Sequence, residues 1–210
     1  MQFDMRTLPL PARYKIINST VTPRPIAWVT TLSAEGVGNT APYSFFNAVG
    51  DDPPMLVLGL LKHPVTGQMK DTARNIVATG EFVVNLVGEH DAQRMNLCSV
   101  DAPADVDEAA WAGLDMVPSS VVKPPRIASS PVGFECRKLA TLDIGPRQTV
   151  VLGEILVAHI PDEFILDPDR LYLDTPAMKL IGRLHGSGWY TRASGDMFKM
   201  DRPAAFPDET

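Results

Sequence analysis

Three segments of this 210-residue chain collect side chains able to hold a flat, polar ligand. The first is Pro23-Arg24-Pro25-Ile26-Ala27-Trp28-Val29-Thr30-Thr31, and the second is Asn39-Thr40-Ala41-Pro42-Tyr43-Ser44-Phe45-Phe46-Asn47. The third is Lys70-Asp71-Thr72-Ala73-Arg74-Asn75. Read as one strand, the second segment puts Thr40, Ser44 and Phe46 on one side and Tyr43, Phe45 and Asn47 on the other. Hydroxyls, amides and aromatic rings side by side suit a hydrogen-bonding heteroaromatic ring. Exposed backbone around Ala41-Pro42 can offer amides to its polar edge. The third segment opens a helix, whose unbonded N–H groups and positive end attract a phosphate, and Lys70 adds a formal charge. Each segment also has a purely structural role open to it. Phe45 and Phe46 can be core, Thr72 or Asp71 a helix cap, Thr30 and Thr31 plain strand residues, and Lys70 with Arg74 a solvated face.

Other chemistries lack their residues. The four histidines, His63, His90, His159 and His185, form no HExxH and no pair at helical spacing, so no metal site is expected. There is no GxSxG elbow and no GxxxxGKS/T loop, which argues against a serine hydrolase and a P-loop enzyme. The glycine-rich run Gly182 to Gly188 is not GxGxxG, and no helix follows it, so a Rossmann dinucleotide site is not expected. A net charge of -6 and a pI near 5.2 leave no basic footprint for nucleic acid. Charged residues at 21% and mean hydropathy of -0.01 describe a soluble globular chain with no membrane span. Cys98 and Cys136 lie far apart, in no CxxC pattern, and the N-terminus lacks a signal-peptide layout. Reduced cysteines, buried as small hydrophobes in a cytoplasmic protein, are therefore expected. What remains is chemistry supplied by an organic cofactor, or none.

The elements that must position these residues are mostly strands. Nineteen prolines, about 9% against a usual ~5%, cut the chain into short elements. Ile26–Leu32 and Asn39–Val49 read as hairpin partners around a turn at Ala34-Glu35-Gly36, with Pro42 suited to an edge or bulge. Met55–Leu61 is a continuous apolar run, as in a strand buried on both faces, and Phe82–Val87 is another. Between them lies a helix, with Lys70-Asp71-Thr72 supplying capping side chains and Gly80 closing it. Short helices are expected over 91–96 and 107–112, and a loop over Pro118–Pro131. Two long strands follow, Val132–Asp143 and Thr149–Ile160, joined at Gly145-Pro146, and the tail from Leu171 shows little pattern. The expectation is one domain, 1–210, mainly β (α+β): a small β-barrel with a few inserted helices.

At these residues the sequence resembles the flavin reductase-like, FMN-binding split-barrel family, which includes flavoredoxins. The carrying motifs are PRPIAWVTT, NTAPYSFFNAV followed by DDPPMLVLGL, KDTARNI leading to GEFVVNLV, and GRLHGSGWYTR, in order from about Pro9 to Pro203. The resemblance implies an FMN-binding split β-barrel, usually a homodimer with FMN near the dimer interface. It places the flavin ring against Trp28, Thr30 and Thr31 and against Thr40, Ala41, Pro42, Tyr43, Ser44 and Phe45, with Asn47 at the end of that segment. Lys70, Asp71 and Thr72 match the turn that meets the phosphate and ribityl end. Arg183, His185 and Tyr190 match a C-terminal segment that returns toward the flavin, often from the neighbouring subunit. His185 stands where many relatives carry glycine or another residue, so a proton-donor role and a structural role both stay open for it. The implied activity is an FMN-dependent oxidoreductase using NADH or NADPH, which serves a small-molecule acceptor, a partner oxygenase or another redox protein. A flavoredoxin-type electron carrier without nicotinamide activity, and a non-catalytic split-barrel binding protein, are the alternatives.

Overall fold

The computed structural model describes residues 1–200; residues 201–210, with the Pro203 end of the resemblance, lie outside the described residues. The chain runs α1 (Leu10–Thr20), β1 (Arg24–Pro25), β2 (Ala27–Leu32), β3 (Gly38–Tyr43), β4 (Phe46–Asp51), β5 (Pro54–Leu61), α2 (Asp71–Thr79) and β6 (Glu81–Leu86). It continues through α3 (Ala92–Leu97), α4 (Glu108–Trp111), β7 (Met116–Val117), β8 (Arg126–Ile127), β9 (Val132–Ile144) and β10 (Gln148–His159). Four short strands end it: β11 (Ile165–Asp167), β12 (Tyr172–Leu173), β13 (Ile181–Arg183) and β14 (Tyr190–Arg192).

Seven strands form one antiparallel sheet in the order β3-β2-β6-β9-β10-β5-β4. Its two edges, β3 and β4, are joined by Ser44 and Phe45 alone. From Tyr43 to Phe46 the chain takes three steps and spans at most about 11 Å, so the sheet must curl to bring its edges close. Gly59 N–H of β5 also bonds Phe45 O at 2.7 Å, which extends the β4–β5 ladder into that two-residue link. The result is the split barrel. The single strand expected over Asn39–Val49 is therefore two strands on opposite edges, and Phe46 does not share a face with Thr40 and Ser44. Pro42 sits on the edge strand β3, where a missing N–H costs no ladder bond.

Alternation sorts the core. Ala27, Val29, Leu56, Leu58, Phe82, Val84 and Val151 fill the barrel, and Ala73 and Ile76 of α2 plug it. Ile26 and Trp28 point outward, into a second core built with Met95, Cys98, Ala109 and Ile127. So β2 is buried on both faces. Strand β5, expected to be so, is not: Leu56, Leu58 and Leu60 are buried, while Val57 is half-buried and Leu61 exposed. The tail is less irregular than expected, since β13 pairs with β1 and β14. Both cysteines are free and buried, and burial pushes the Cys98 thiol up to about 11.

One glycine limits the barrel's packing. A Cβ on Gly153, at a register shift in β10, would overlap the ring of Phe82, which is fully buried. Gly153→Ala is expected to destabilise the protein by about 1–3 kcal/mol. Urea titration checks this, and an unchanged midpoint would mean that the Phe82 ring shifts freely.

Candidate functional site

The start of α2 is built to stay open. Its N-cap, Lys70, has extended backbone and no side-chain cap, so the first N–H groups of the helix keep no intrahelical acceptor. The capping expected from Asp71 and Thr72 is absent because both side chains are used elsewhere. Thr72 Oγ1 accepts from Asn39 Nδ2 and from the Tyr43 hydroxyl, both at 2.8 Å. Asp71 pairs with Arg74. The helix start is thereby tied to β3, and Asn75 Nδ2 donates to Thr31 Oγ1 at 3.0 Å from the next turn. Burial is the main cause that pushes the Tyr43 hydroxyl up to about 12, so it remains a protonated donor.

Between β3 and this helix start lies a cleft of about 520 Å³. Asn39, Ala41, Pro42 and Tyr43 line one side, and Lys70, Asp71, Thr72 and Arg74 another. The segment from His63 to Met69 and the segment from Cys98 to Ala104 complete the walls, with Glu108 of α4. A smaller cavity of about 210 Å³ shares Pro42, Tyr43 and Lys70 with the cleft and brings in Ser44 and Phe45, with Tyr14 and Asn18 of α1. These sizes suit an organic ligand of cofactor dimensions.

The structure thus gathers Ala41, Pro42, Tyr43, Ser44, Phe45, Lys70, Asp71 and Thr72 around two cavities that share Pro42, Tyr43 and Lys70 as walls. Other expected residues lie elsewhere. Trp28 is fully buried in the second core, Thr30 donates to Pro125 O at 2.5 Å, and Thr31 is buried beneath Asn39 and Asn75. These three back the cleft without lining it. Thr40 is buried and turns its N–H to Glu108 Oε2 at 2.9 Å. By antiparallel alternation the Ala41 N–H then faces β2, and Pro42 has none, so the amide donors expected there do not face this free edge. Asn47 is exposed on β4, its Oδ1 accepting from Ala48 N–H. Arg183 holds Trp189 O and Gly186 O and lies over the Tyr190 ring at 4.8 Å, with His185 exposed beside Trp189. None of the last three lines the cleft of its own chain.

Several site residues have no motif to betray them. Glu108 and the 98–104 wall approach β3 from more than fifty residues away, and a lone acid in a short helix has no period. Asn39 was within reach, because it stands in NTAP, beside the residues read as ligand contacts.

Residues 19–176 match the flavin reductase like domain. The chain belongs to that family. A Deinococcus radiodurans protein is 40% identical over 204 residues, covering 95% of this chain and 88% of that one. The crystal structure of Pseudomonas fluorescens 2-nitrobenzoate 2-nitroreductase NbaA superimposes with a TM-score of 0.88, at 36% identity and full coverage of both chains. Nitrilotriacetate monooxygenase component B from Bacillus cereus gives a TM-score of 0.89 at 27% identity, covering 95% of this chain and 98% of that one. Membership makes this a flavin-reductase-like protein with a flavin site. Among the described residues no helix is long and apolar enough to cross a membrane, and no group of metal-ligating side chains occurs.

Proposed function

We propose that the protein is an FMN-dependent oxidoreductase that takes a hydride from NADH or NADPH and passes electrons to a small acceptor. The observation that carries this reading is the open, uncapped start of α2, with Lys70 at its cap, beside a cleft floored by β3. The fit to FMN is physical: unbonded helix N–H groups and an ammonium meet a terminal phosphate, and the cleft beyond admits a flat ring. Bound flavin supplies the hydride chemistry itself. The chain holds the phosphate at Lys70 to Thr72, keeps the Thr72 hydroxyl fixed through Asn39 and Tyr43, and shields one side of the ring with β3.

The named structural relatives favour two outlets, direct reduction of a small aromatic molecule or supply of a partner oxygenase. A homodimer is part of the same proposal. Leu10, Tyr14 and Ile17 of α1, with Val21 at its C-cap, are exposed apolar residues, and Tyr14 lies by exposed Leu61 of β5. Cytoplasmic placement is supported by two buried cysteines left unbridged.

The test is an absorbance spectrum of the protein with FMN, followed anaerobically by NADH and then NADPH. Bleaching within seconds is the expected result, and it names the donor. Bound flavin that stays oxidised until dithionite is added supports the electron-carrier reading, and colourless protein the non-catalytic one. Light scattering on the same sample reports the dimer.

A further inference from the structure

The charges around the cleft are unevenly matched. Lys70 and Arg74 line it on the cationic side, with Asp71, Asp101 and Glu108 as the acids. Lys70 Nζ holds Asp101 at 2.5 Å, and Arg74 holds Asp71. Glu108 is left without a cation within ion-pair distance among the described residues, although it is only 5% exposed. Its anchor is neutral: the Thr40 N–H at Oε2. Other titratable groups act on it or share its surroundings. Asp71 of α2 and Asp107 at the α4 cap raise the energy of its charged form, and buried Cys98 and Tyr43 stand close enough to feel its charge.

A buried carboxylate without a cation is costly, and the usual escape is to bind a proton. Burial is the largest influence on Glu108, and it moves the carboxyl upward against the opposing hydrogen bonds from Thr40 N–H and its own N–H. A ligand filling the cleft strengthens every part of this. It removes the remaining water from Glu108, and a phosphate at Lys70 adds a negative charge across the cleft. A neutral acid, unlike a carboxylate, can donate a hydrogen bond, and the carbonyls and ring nitrogens of a flavin accept one.

We propose that Glu108 faces bound flavin as a neutral carboxylic acid, donating a hydrogen bond to it, so that flavin binding takes up as much as one proton from solvent, according to pH. The inference rests on the flavin reading above and adds a ligand-contacting residue to that site. The sign follows from linkage. The bound state holds more protons than the free state, so affinity is highest at low pH and falls as pH rises, by up to about tenfold per unit while Glu108 titrates.

The test titrates the protein with FMN, and with riboflavin to remove the phosphate's own ionisation, over a range of pH at fixed ionic strength. Calorimetry in two buffers of different protonation enthalpy counts the protons. Wild type is expected to bind more weakly as pH rises and to take up protons with both ligands. Glu108→Gln keeps an acceptor for Thr40 N–H and a donor for the ligand, and never ionises. It is expected to hold the tight, low-pH affinity throughout, without that uptake. Identical pH profiles for the two proteins would overturn the proposal while leaving flavin binding intact. No binding of either flavin by wild type at any pH would overturn the flavin reading itself, and the proposal with it. Infrared difference spectra of wild type need no variant: a protonated-carboxyl band appearing on flavin addition supports the proposal, and its absence overturns it.

Discussion

Replacing Glu135 by alanine is expected to destabilise the protein by about 3–5 kcal/mol, the range for stripping one partner from a buried charged network. Glu135, on β9, is completely buried. Its carboxylate accepts from the backbone N–H groups of Ser120, Val121 and Val122 at 2.6, 2.7 and 3.1 Å, and lies 2.5 Å from His159 Nε2. Alanine would leave three backbone donors without a partner, each costing about 1–3 kcal/mol where water cannot replace the oxygen. The anchored loop also matters for the site. Pro125 O in it receives the Thr30 hydroxyl of β2, and β2 backs the β3 floor of the cleft. Burial alone would raise the Glu135 carboxyl, but the N–H donors and His159 together outweigh it and hold it at about 2, below its ordinary 4.5. A folded-state value below the unfolded one means that the contribution is fully present above about pH 4.5. It is lost as pH falls toward about 2, a difference of about 3 kcal/mol. Urea midpoints measured from neutral into acid check both statements. Wild type should lose stability in that acid window, and Glu135→Gln, already weakened at neutral pH, should lose much less there. Parallel pH curves for the two would remove Glu135 as the cause.

How much of this was legible in the sequence depends on how local each cause is. Helix α2 was legible to within a residue, because its stop is local: Gly80 adopts φ 77°, the left-handed region that glycine enters freely. Strand β6 was legible from its continuous apolar run and β10 from its β-branched residues. Barrel closure was not, since it follows from a break at Ser44-Phe45 inside a segment that reads as one strand. Helix α1 was also missed. Pro9 and Pro11 look like interruptions but flank a helix start, and the apolar residues of α1 face outward and cannot signal a core. In the candidate site, the motif residues at the two ends of the cleft were legible and its far wall was not. Asp101 and Glu108 act through single long-range contacts, to Lys70 and to Thr40, which leave no trace in spacing.

That far wall changes what Lys70 is expected to do. Taken alone, Lys70→Ala should weaken FMN binding by about 1.5–3 kcal/mol, the range for a hydrogen bond to a charged group. In the free protein, however, Lys70 Nζ is already engaged by Asp101, and both side chains are exposed. An incoming phosphate must displace that carboxylate, and an exposed ion pair is worth about 0–1 kcal/mol. The competition therefore subtracts at most about 1 kcal/mol, which is too small to cancel the phosphate contact. Asp101→Asn, by the same reasoning, should tighten FMN binding by up to about fivefold. The two effects must be coupled: once Lys70 is alanine, Asp101→Asn should change FMN affinity hardly at all, because the cation it competed for is gone. Riboflavin lacks the phosphate, so its affinity should be insensitive to Lys70→Ala. Fluorescence titrations of the four proteins with both flavins complete the cycle. FMN affinity unchanged in Lys70→Ala would remove Lys70 from the site, and additive effects in the double variant would mean that Asp101 acts on the ligand directly, without passing through Lys70.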